Sequence, residues 1–196
     1  MQYTYRMNIL YINGHPDPES FHAAIEKTYT EAVQAKHDLK VLSLGKESFD
    51  PVLRYGYSKR MKEDPFITES QELVLWADHI VFAFPIWWGD APSLLRGWIE
   101  RVFTPSFSYK FEGIKVTQLL KGRTSDIIIT SRALLPVHWI IGNFAVLILT
   151  KNLFGLTGIR KKKVIRLGGI GLLPVTSTEK RRLQFLERVR RRAARM

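Results

Sequence analysis

Short apolar runs alternate with amphipathic stretches along this chain, and that alternation limits its fold more than any other feature. Apolar runs near 7–12, 38–43, 78–84, 124–130 and 162–168 read as strands. Periodic stretches near 20–35, 67–76, 92–103, 139–154 and 177–194 read as helices. Strands that alternate with helices cannot pair as hairpins; they form a parallel sheet whose two faces the helices cover. The expectation is an α/β fold, a doubly wound five-stranded parallel sheet with helices on both faces, in a single domain over 1–196. The stretch 45–66 has little periodicity and several breakers. Connections of that length are often functional or covered by a partner.

The absence of cysteine excludes disulfides, thiolate metal sites and cysteine nucleophiles. The first residues lack the apolar core of a signal peptide. The longest apolar stretch, Ile140 to Leu149, contains Gly142 and Asn143 and falls short of the ~20 residues of a membrane span. A cytoplasmic chain with no membrane-crossing segment is therefore expected. The net charge of +12 is unevenly placed: residues 179–196 hold eight Lys/Arg against Glu179 and Glu187, a net +6 and half the total. Arg160-Lys161-Lys162-Lys163 adds a second cluster. In the last helix Leu183, Leu186, Val189 and Ala193 form a stripe that would dock on the sheet and leave the arginines in water. Such charge serves as an ordinary solvated face or attracts anionic surfaces.

Two segments carry chemistry. In the first, the apolar run Ile80 to Phe84 ends in Pro85, followed by Ile86, Trp87, Trp88, Gly89, Asp90 and a helical pattern. Successive strand side chains point to opposite faces, so adjacent tryptophans cannot both enter one core. At least one is expected at the carboxyl end of the strand, where open α/β sheets bind ligands. A flat aromatic ligand fits such a wall. Asp90 is read as a cap for the helix behind it. In the second, the strand Met7 to Ile12 is followed by Asn13-Gly14-His15-Pro16-Asp17-Pro18-Glu19-Ser20-Phe21 and a helix. Unpaired N–H groups, the helix dipole and the Ser20 hydroxyl together make an anion site. The alternative is an N-cap in which Ser20 closes its own helix. Neither the dinucleotide glycine fingerprint nor a P-loop is present.

These blocks, with Ser106 to Phe111 just after the helix that follows the tryptophans, resemble the flavodoxin-like NAD(P)H:quinone oxidoreductases, which include flavin subunits that regulate potassium efflux systems. The resemblance implies a flavin, FAD or FMN, with its phosphate end at His15, Ser20 and Phe21. The polar edge of its ring would lie on the backbone of Pro85, Ile86, Trp87, Trp88 and Gly89. The loop after the fourth strand would add Thr130 and Ser131. Here that loop lacks the paired glycines of the family, and its Arg132 is a departure placed to meet the flavin or the phosphates of NAD(P)H. His138 stands nearest to the family's proton-transfer residues. The resemblance further implies a homodimer in which Phe107, Tyr109 and Phe111, with the 45–66 connection, cover the neighbouring subunit's site.

The implied activity is two-electron hydride transfer from NAD(P)H to a quinone or similar flat electrophile by a ping-pong scheme. The alternative is a regulatory flavoprotein that touches a membrane transporter or anionic surface through its basic C-terminal helix. The five histidines show no metal spacing and no paired carboxylates, so no metal is expected. The basic helix carries no nucleic-acid motif and no interleaved aromatics, so no nucleic acid is expected either.

Overall fold

The computed structural model describes residues 6–134, 136–171 and 175–196, and the side chains at 175 and 176 lie outside that description. Five parallel strands, β1 (Asn8–Asn13), β2 (Asp38–Ser43), β3 (His79–Pro85), β6 (Thr124–Thr130) and β7 (Arg160–Leu167), form one sheet in the order β2-β1-β3-β6-β7. The central strands are almost wholly buried while β2 and β7 are open along much of their length, as a sheet covered on both faces requires.

The strand period of two divides the apolar residues into two cores. Leu10, Ile12, Ile80, Phe82, Ile127 and Ile129 face α2 (Pro65–Trp76), α3 (Ser93–Val102) and α4 (Val137–Thr157). Ile9, Tyr11, Val81, Ala83 and Ile128 face α1 (Phe21–Val33) and α5 (Val175–Ala193). The expected doubly wound sheet is therefore present.

Three elements differ from the expectation. A two-stranded antiparallel hairpin, β4 (Tyr109–Glu112) with β5 (Lys115–Gln118), stands apart from the main sheet. Four-residue strands are too short to show a period. Helix α4 runs on through Thr150, Lys151 and Asn152 in a π-helical segment, Ile148–Phe154. It thereby becomes 21 residues long, and its most apolar window has a mean hydropathy of 1.5 with only a third of it buried. By length and composition it meets the requirement for a membrane span that the apolar stretch Ile140 to Leu149 alone did not. Its inner face, Ala145, Val146, Leu149 and Phe154, belongs to the core.

The phase of α5 is also shifted. Phe185, Val189 and Ala193 are buried, but Leu183 is 67% exposed. The arginines are not all in water either. Arg192 forms a two-bond pair with the fully buried Asp126 (2.6 and 3.1 Å), and Arg181 and Arg188 donate to the carbonyls of Gly168 and Arg166. Long guanidinium side chains reach past the helix flank and satisfy groups that a short side chain leaves unpaired.

The 45–66 connection opens with a 3-10 turn (Leu44–Lys46) and then lies along α3. A Cβ at Gly97 of that helix would sit 2.3 Å from the Pro51 carbonyl oxygen, so only glycine permits the close approach. Arg101 fastens the same strap by donating to the Asp50 carbonyl.

Candidate functional site

The sheet order reverses between β1 and β3, so the loops leaving those strands part and open a crevice at their carboxyl ends. There the loops after β1, β3 and β6 enclose a cavity of about 460 Å³. His15, Phe21, Pro85, Ile86, Trp87, Trp88, Thr130, Ser131 and Arg132 line it, so residues far apart in sequence meet as expected. His22, Ile170 and Arg182 line it as well, and sequence reasoning missed all three.

The β1 loop is built by side-chain bonds to its own backbone. Asn13 Oδ1 accepts from the His15 amide, His15 Nδ1 from the Asp17 amide and Asp17 Oδ1 from the Glu19 amide. Because Nδ1 of His15 accepts, its Nε2 carries the proton of the neutral ring. Burial lowers the His15 pKa, against an opposing pull from Asp17. Ser20 precedes α1 in an extended conformation, makes no capping bond, and its buried Oγ has no partner. An ordinary N-cap uses that oxygen to satisfy an amide of the first turn. Here both the oxygen and the positive end of the helix are left for something else.

The β3 loop is a tight turn in which Trp87 and Asp90 exchange backbone hydrogen bonds (2.9 and 3.0 Å). Trp88 and Gly89 take its corners at φ +52° and +81°, a primed turn. Glycine adopts that conformation freely; tryptophan is strained there, at ~1–3 kcal/mol. The strain holds the Trp88 side chain fully in solvent at the cavity, with Trp87 half exposed beside it. The His15 ring stands edge-on to Trp87 with centroids 5.5 Å apart. Asp90 does not cap α3. It accepts from the Ala91 amide and pairs with Arg96 at 3.4 Å, while Pro92 occupies the cap position.

The β6 loop joins the other two from behind. Thr130 Oγ1 lies 2.9 Å from Nε2 of the buried His22, whose ring stacks on His15. Burial, then the neighbouring His15, pushes the His22 pKa down to about 3, so the pair is neutral at physiological pH and His22 Nδ1 is left without a partner. Ser131 Oγ lies 2.7 Å from Nδ1 of His138. His138 itself is off the cavity wall, buried one hydrogen bond behind Ser131, which places it as a support for that residue. Its pKa is lowered by burial and then by Arg166 and Arg181. Arg132 is exposed at the mouth. Leu135 of this loop lies outside the described residues.

Arg182 reaches the cavity from α5. Its guanidinium lies 5.1 Å from the centre of the Phe21 ring, and its buried Nε has no partner. The signal was present in the sequence, since Arg182 shares the stripe of Leu186, Val189 and Ala193, but it reads as one more surface charge. His22 gave no such signal, because its partner Thr130 is 108 residues away. Ser20 and Gly89 belong to the loops that form the cavity but do not line it, and Phe107 lines a different hollow with Tyr57 and Ile67. Tyr109 packs edge-on against the exposed Phe111 of the hairpin. Neither ring contributes to the site within one chain.

The family model described as a flavodoxin-like fold matches residues 7–193. A Cavia porcellus protein named NAD(P)H dehydrogenase [quinone] 1 is 31% identical over 123 residues, 52% of this chain and 45% of that protein. The chain thus spans about half the length of that relative. The crystal structure of Smu.1420 from Streptococcus mutans superposes with a TM-score of 0.82 at 28% identity, covering 97% of this chain and all of the other. An NAD(P)H:quinone oxidoreductase structure from Methanothermobacter marburgensis has the same fold, with a TM-score of 0.75 at 22% identity, covering 97% and 96%. With its strand order, its crevice and a family match over nearly its whole length, this chain belongs to the flavodoxin-like fold family.

Proposed function

We propose that the chain binds a flavin, FAD or FMN, in the 460 Å³ cavity and catalyses NAD(P)H-dependent reduction of quinones or similar flat electrophiles. The observation that carries this reading is the pair of unpartnered polar atoms on the cavity wall, His22 Nδ1 and Arg182 Nε, beside an aromatic face, with the unpartnered Ser20 Oγ next in the chain to the lining residue Phe21. Buried polar groups without partners each cost about 1–3 kcal/mol, so their convergence on one crevice points to a polar ligand that satisfies them. Ser20 Oγ, the first amides of α1 and the Arg182 guanidinium fit a phosphate or pyrophosphate. Trp87 and Trp88 offer flat surfaces for a ring system.

The polar edge of the ring has fewer donors than the sequence implied. The Ile86 and Trp87 amides already donate to the carbonyls of Thr130 and Asp90, so the amides of Trp88 and Gly89 are those a flavin can use. When bound, a flavin would supply hydride transfer between NAD(P)H and a quinone, the quinone taking up one hydride and one proton from solvent to become the hydroquinone. The protein orients the reactants and excludes water. Neutral His15 and His22 place no positive charge against the cofactor, leaving Arg182 and Arg132 as the cationic groups on the cavity wall.

Closure requires more protein than one chain supplies. Trp88 is fully exposed, and the hairpin carries Phe111 (60% exposed) and Ile114 (103%) away from the body of the molecule. A homodimer in which Phe107, Tyr109 and Phe111 cover the neighbouring site accounts for both exposures. A cytoplasmic location completes the reading, since NAD(P)H is supplied there.

The test is an absorbance spectrum of purified protein, with chromatography of any released cofactor, followed by a quinone-dependent NAD(P)H oxidation assay. A yellow protein, or one that takes up FMN or FAD with micromolar affinity and then oxidises NAD(P)H, is expected. A colourless protein that fails to quench flavin fluorescence on titration overturns the reading.

A further inference from the structure

His138 is bonded to the flavin loop through Ser131, and it also borders a second hollow, of about 860 Å³, between the end of β7 and α5. Four guanidinium groups line this hollow: Arg166 from β7, and Arg181, Arg188 and Arg191 from α5. It opens into an adjoining hollow of about 570 Å³ that adds Lys163 and Arg195. The acid on its wall, Glu187, is already paired with Arg190 and Arg191. Of the exposed apolar side chains of α4, Trp139 borders the hollow. Val137, Ile140, Phe144 and Leu147 do not line it and stay available to the second subunit of the proposed dimer.

These side chains are held in place. Arg181 and Arg188 each donate one bond to a backbone carbonyl, of Gly168 (2.7 Å) and Arg166 (3.0 Å), which orients the two forks and leaves part of each unused. Arg166 lies against the Trp139 ring with its guanidinium 5.0 Å from the ring centre, and its buried Nη1 has no hydrogen-bond partner. His138 Nε2 is likewise buried and unpartnered, while Nδ1 lies 2.7 Å from Ser131 Oγ. Gly168 lets the end of β7 close on that ring, since a Cβ there would sit 2.6 Å from it. Burial lowers the Arg188 pKa and Arg181 lowers it further; burial, then Arg166 and Arg181, lower that of His138. Cationic groups that depress one another around two unsatisfied buried nitrogens make a field that an anion balances.

We infer that this hollow binds a small oligophosphate, a free anion with two or more phosphate groups, and that His138 links its occupancy to the flavin loop through Ser131. Phosphate oxygens match guanidinium forks two bonds at a time, and four forks around one hollow exceed what a single phosphate engages. His138 selects a small ligand over an extended surface: it is 1% exposed, so a contact to Nε2 needs an anionic group that enters the hollow. A phosphate oxygen accepts from Nε2–H, which leaves Nδ1 of the neutral ring as an acceptor. Ser131 Oγ, which also makes a long 3.5 Å contact to the Ala133 carbonyl, must then donate to Nδ1 and keeps only its lone pairs for the cavity. The anion thereby changes which polar group the β6 loop offers a flavin, and linkage makes the effect mutual. The link rests on the flavin reading; the anion site does not.

The experiment is calorimetric titration of inorganic pyrophosphate and tripolyphosphate into the purified full chain, with excess FMN present, at pH 8 and physiological salt. Binding at one site per chain, tighter for tripolyphosphate, is expected. Arg166→Gln/Arg188→Gln should weaken it more than roughly ten-fold. Arg191→Gln, which changes an exposed side chain and leaves the core untouched, should weaken it roughly three-fold. Arg182→Met should leave it unchanged. Imidazole 15N spectra should show His138 fixed as the Nε2–H tautomer when either phosphate is bound. No binding overturns the site, as does binding that Arg182→Met abolishes and the other variants keep, which assigns the phosphate to the flavin cavity. An unmoved His138 spectrum overturns the link to the flavin loop. Binding of duplex DNA or phosphatidylglycerol vesicles that tripolyphosphate does not displace also overturns the proposal, by assigning the arginines to an extended polyanion. The expected pattern in a protein that takes up no flavin supports the anion site and removes the flavin reading alone.

Discussion

The two ends of the sheet differ in how they hold their buried charged and polar groups. At the amino-terminal ends of β3 and β6, the fully buried Asp126 is held by two hydrogen bonds from Arg192, and His79 shares a 2.7 Å bond with Thr124, although its Nε2, 3.8 Å from the Asp126 carboxylate, makes no hydrogen bond. At the carboxyl ends, Ser20, His22 and Arg182 each leave a buried polar atom unsatisfied. One end closes the molecule, tying the C-terminal helix to the middle of the sheet. The other holds its donors and acceptors in reserve at a cost in stability, the signature of a site prepared for a ligand.

The largest effect is expected at the closed end. Asp126→Ala leaves the Arg192 guanidinium half buried without its partner, and breaking one side of such a pair costs ~3–5 kcal/mol. Burial works against the charge of Arg192, but the hydrogen bond and field of Asp126 outweigh it and raise its pKa. Chemical denaturation should show the loss, while flavin affinity per folded molecule stays at the wild-type value. Equal loss of both would dissolve the distinction between the ends.

Acid should then strain both ends together. His22 and His79 have pKa values pushed down to about 3 and about 4, in each case first by burial. The unfolded chain, with ordinary histidines near 6.5, therefore binds more protons as the pH falls. Stability is full above pH 6.5 and declines below it at ~1.4 kcal/mol per pH unit for each histidine, until each folded value is reached. His22→Gln should reduce the slope measured between pH 6 and pH 5 by up to ~1.4 kcal/mol per pH unit; an unaltered slope removes His22 from the account.

At the open end, stability and binding should move in opposite directions. Trp88→Gly relieves the positive φ and should stabilise the fold by ~1 kcal/mol. Trp87→Ala/Trp88→Ala should weaken flavin binding roughly ten- to hundred-fold through lost stacking area. Ser20→Ala and Arg182→Met should each weaken it by about ten-fold with no loss of melting temperature, since neither Ser20 Oγ nor Arg182 Nε has a partner within the chain. A variant that loses stability and keeps its flavin affinity makes that residue part of the closed end.

Much of this division was legible in the sequence. The alternation of apolar runs and helices specified the doubly wound sheet, and the paired tryptophans and the Gly-His-Pro turn marked two of the three loops that meet. What escaped was long-range. His22 acquires its role from Thr130, and Arg182 from Phe21, contacts that no local pattern encodes. Asp126 sits in a strand otherwise rich in isoleucine, where its partner on α5 is 66 residues away. Leu183 misled because a leucine near a stripe reads as part of it, whereas the helix turns that side chain toward an open hollow that it lines with Arg166, Arg181 and Arg188. The membrane-length reading of α4 failed because polar residues within a continuous helix interrupt a run without ending the element.

The smallest expected effect separates the two arginines of the cavity. Arg182 has a buried Nε fixed against Phe21, whereas Arg132 is exposed at the mouth, where water and salt screen its charge. A guanidinium fork suits the additional 2′-phosphate of NADPH, so Arg132→Ala should raise the Michaelis constant for NADPH more than that for NADH. Exposed charge pairs are worth at most ~1 kcal/mol, which sets the change in NADPH/NADH preference at about five-fold or less. The preference should shrink further as salt is raised, because both partners stay in contact with solvent. Flavin content should be unchanged, in contrast to Arg182→Met. If Arg132→Ala instead strips the flavin and leaves the cofactor ratio alone, Arg132 belongs with Ser20 and Arg182 in the phosphate cradle, and the mouth of the site carries no charge of its own for NADPH.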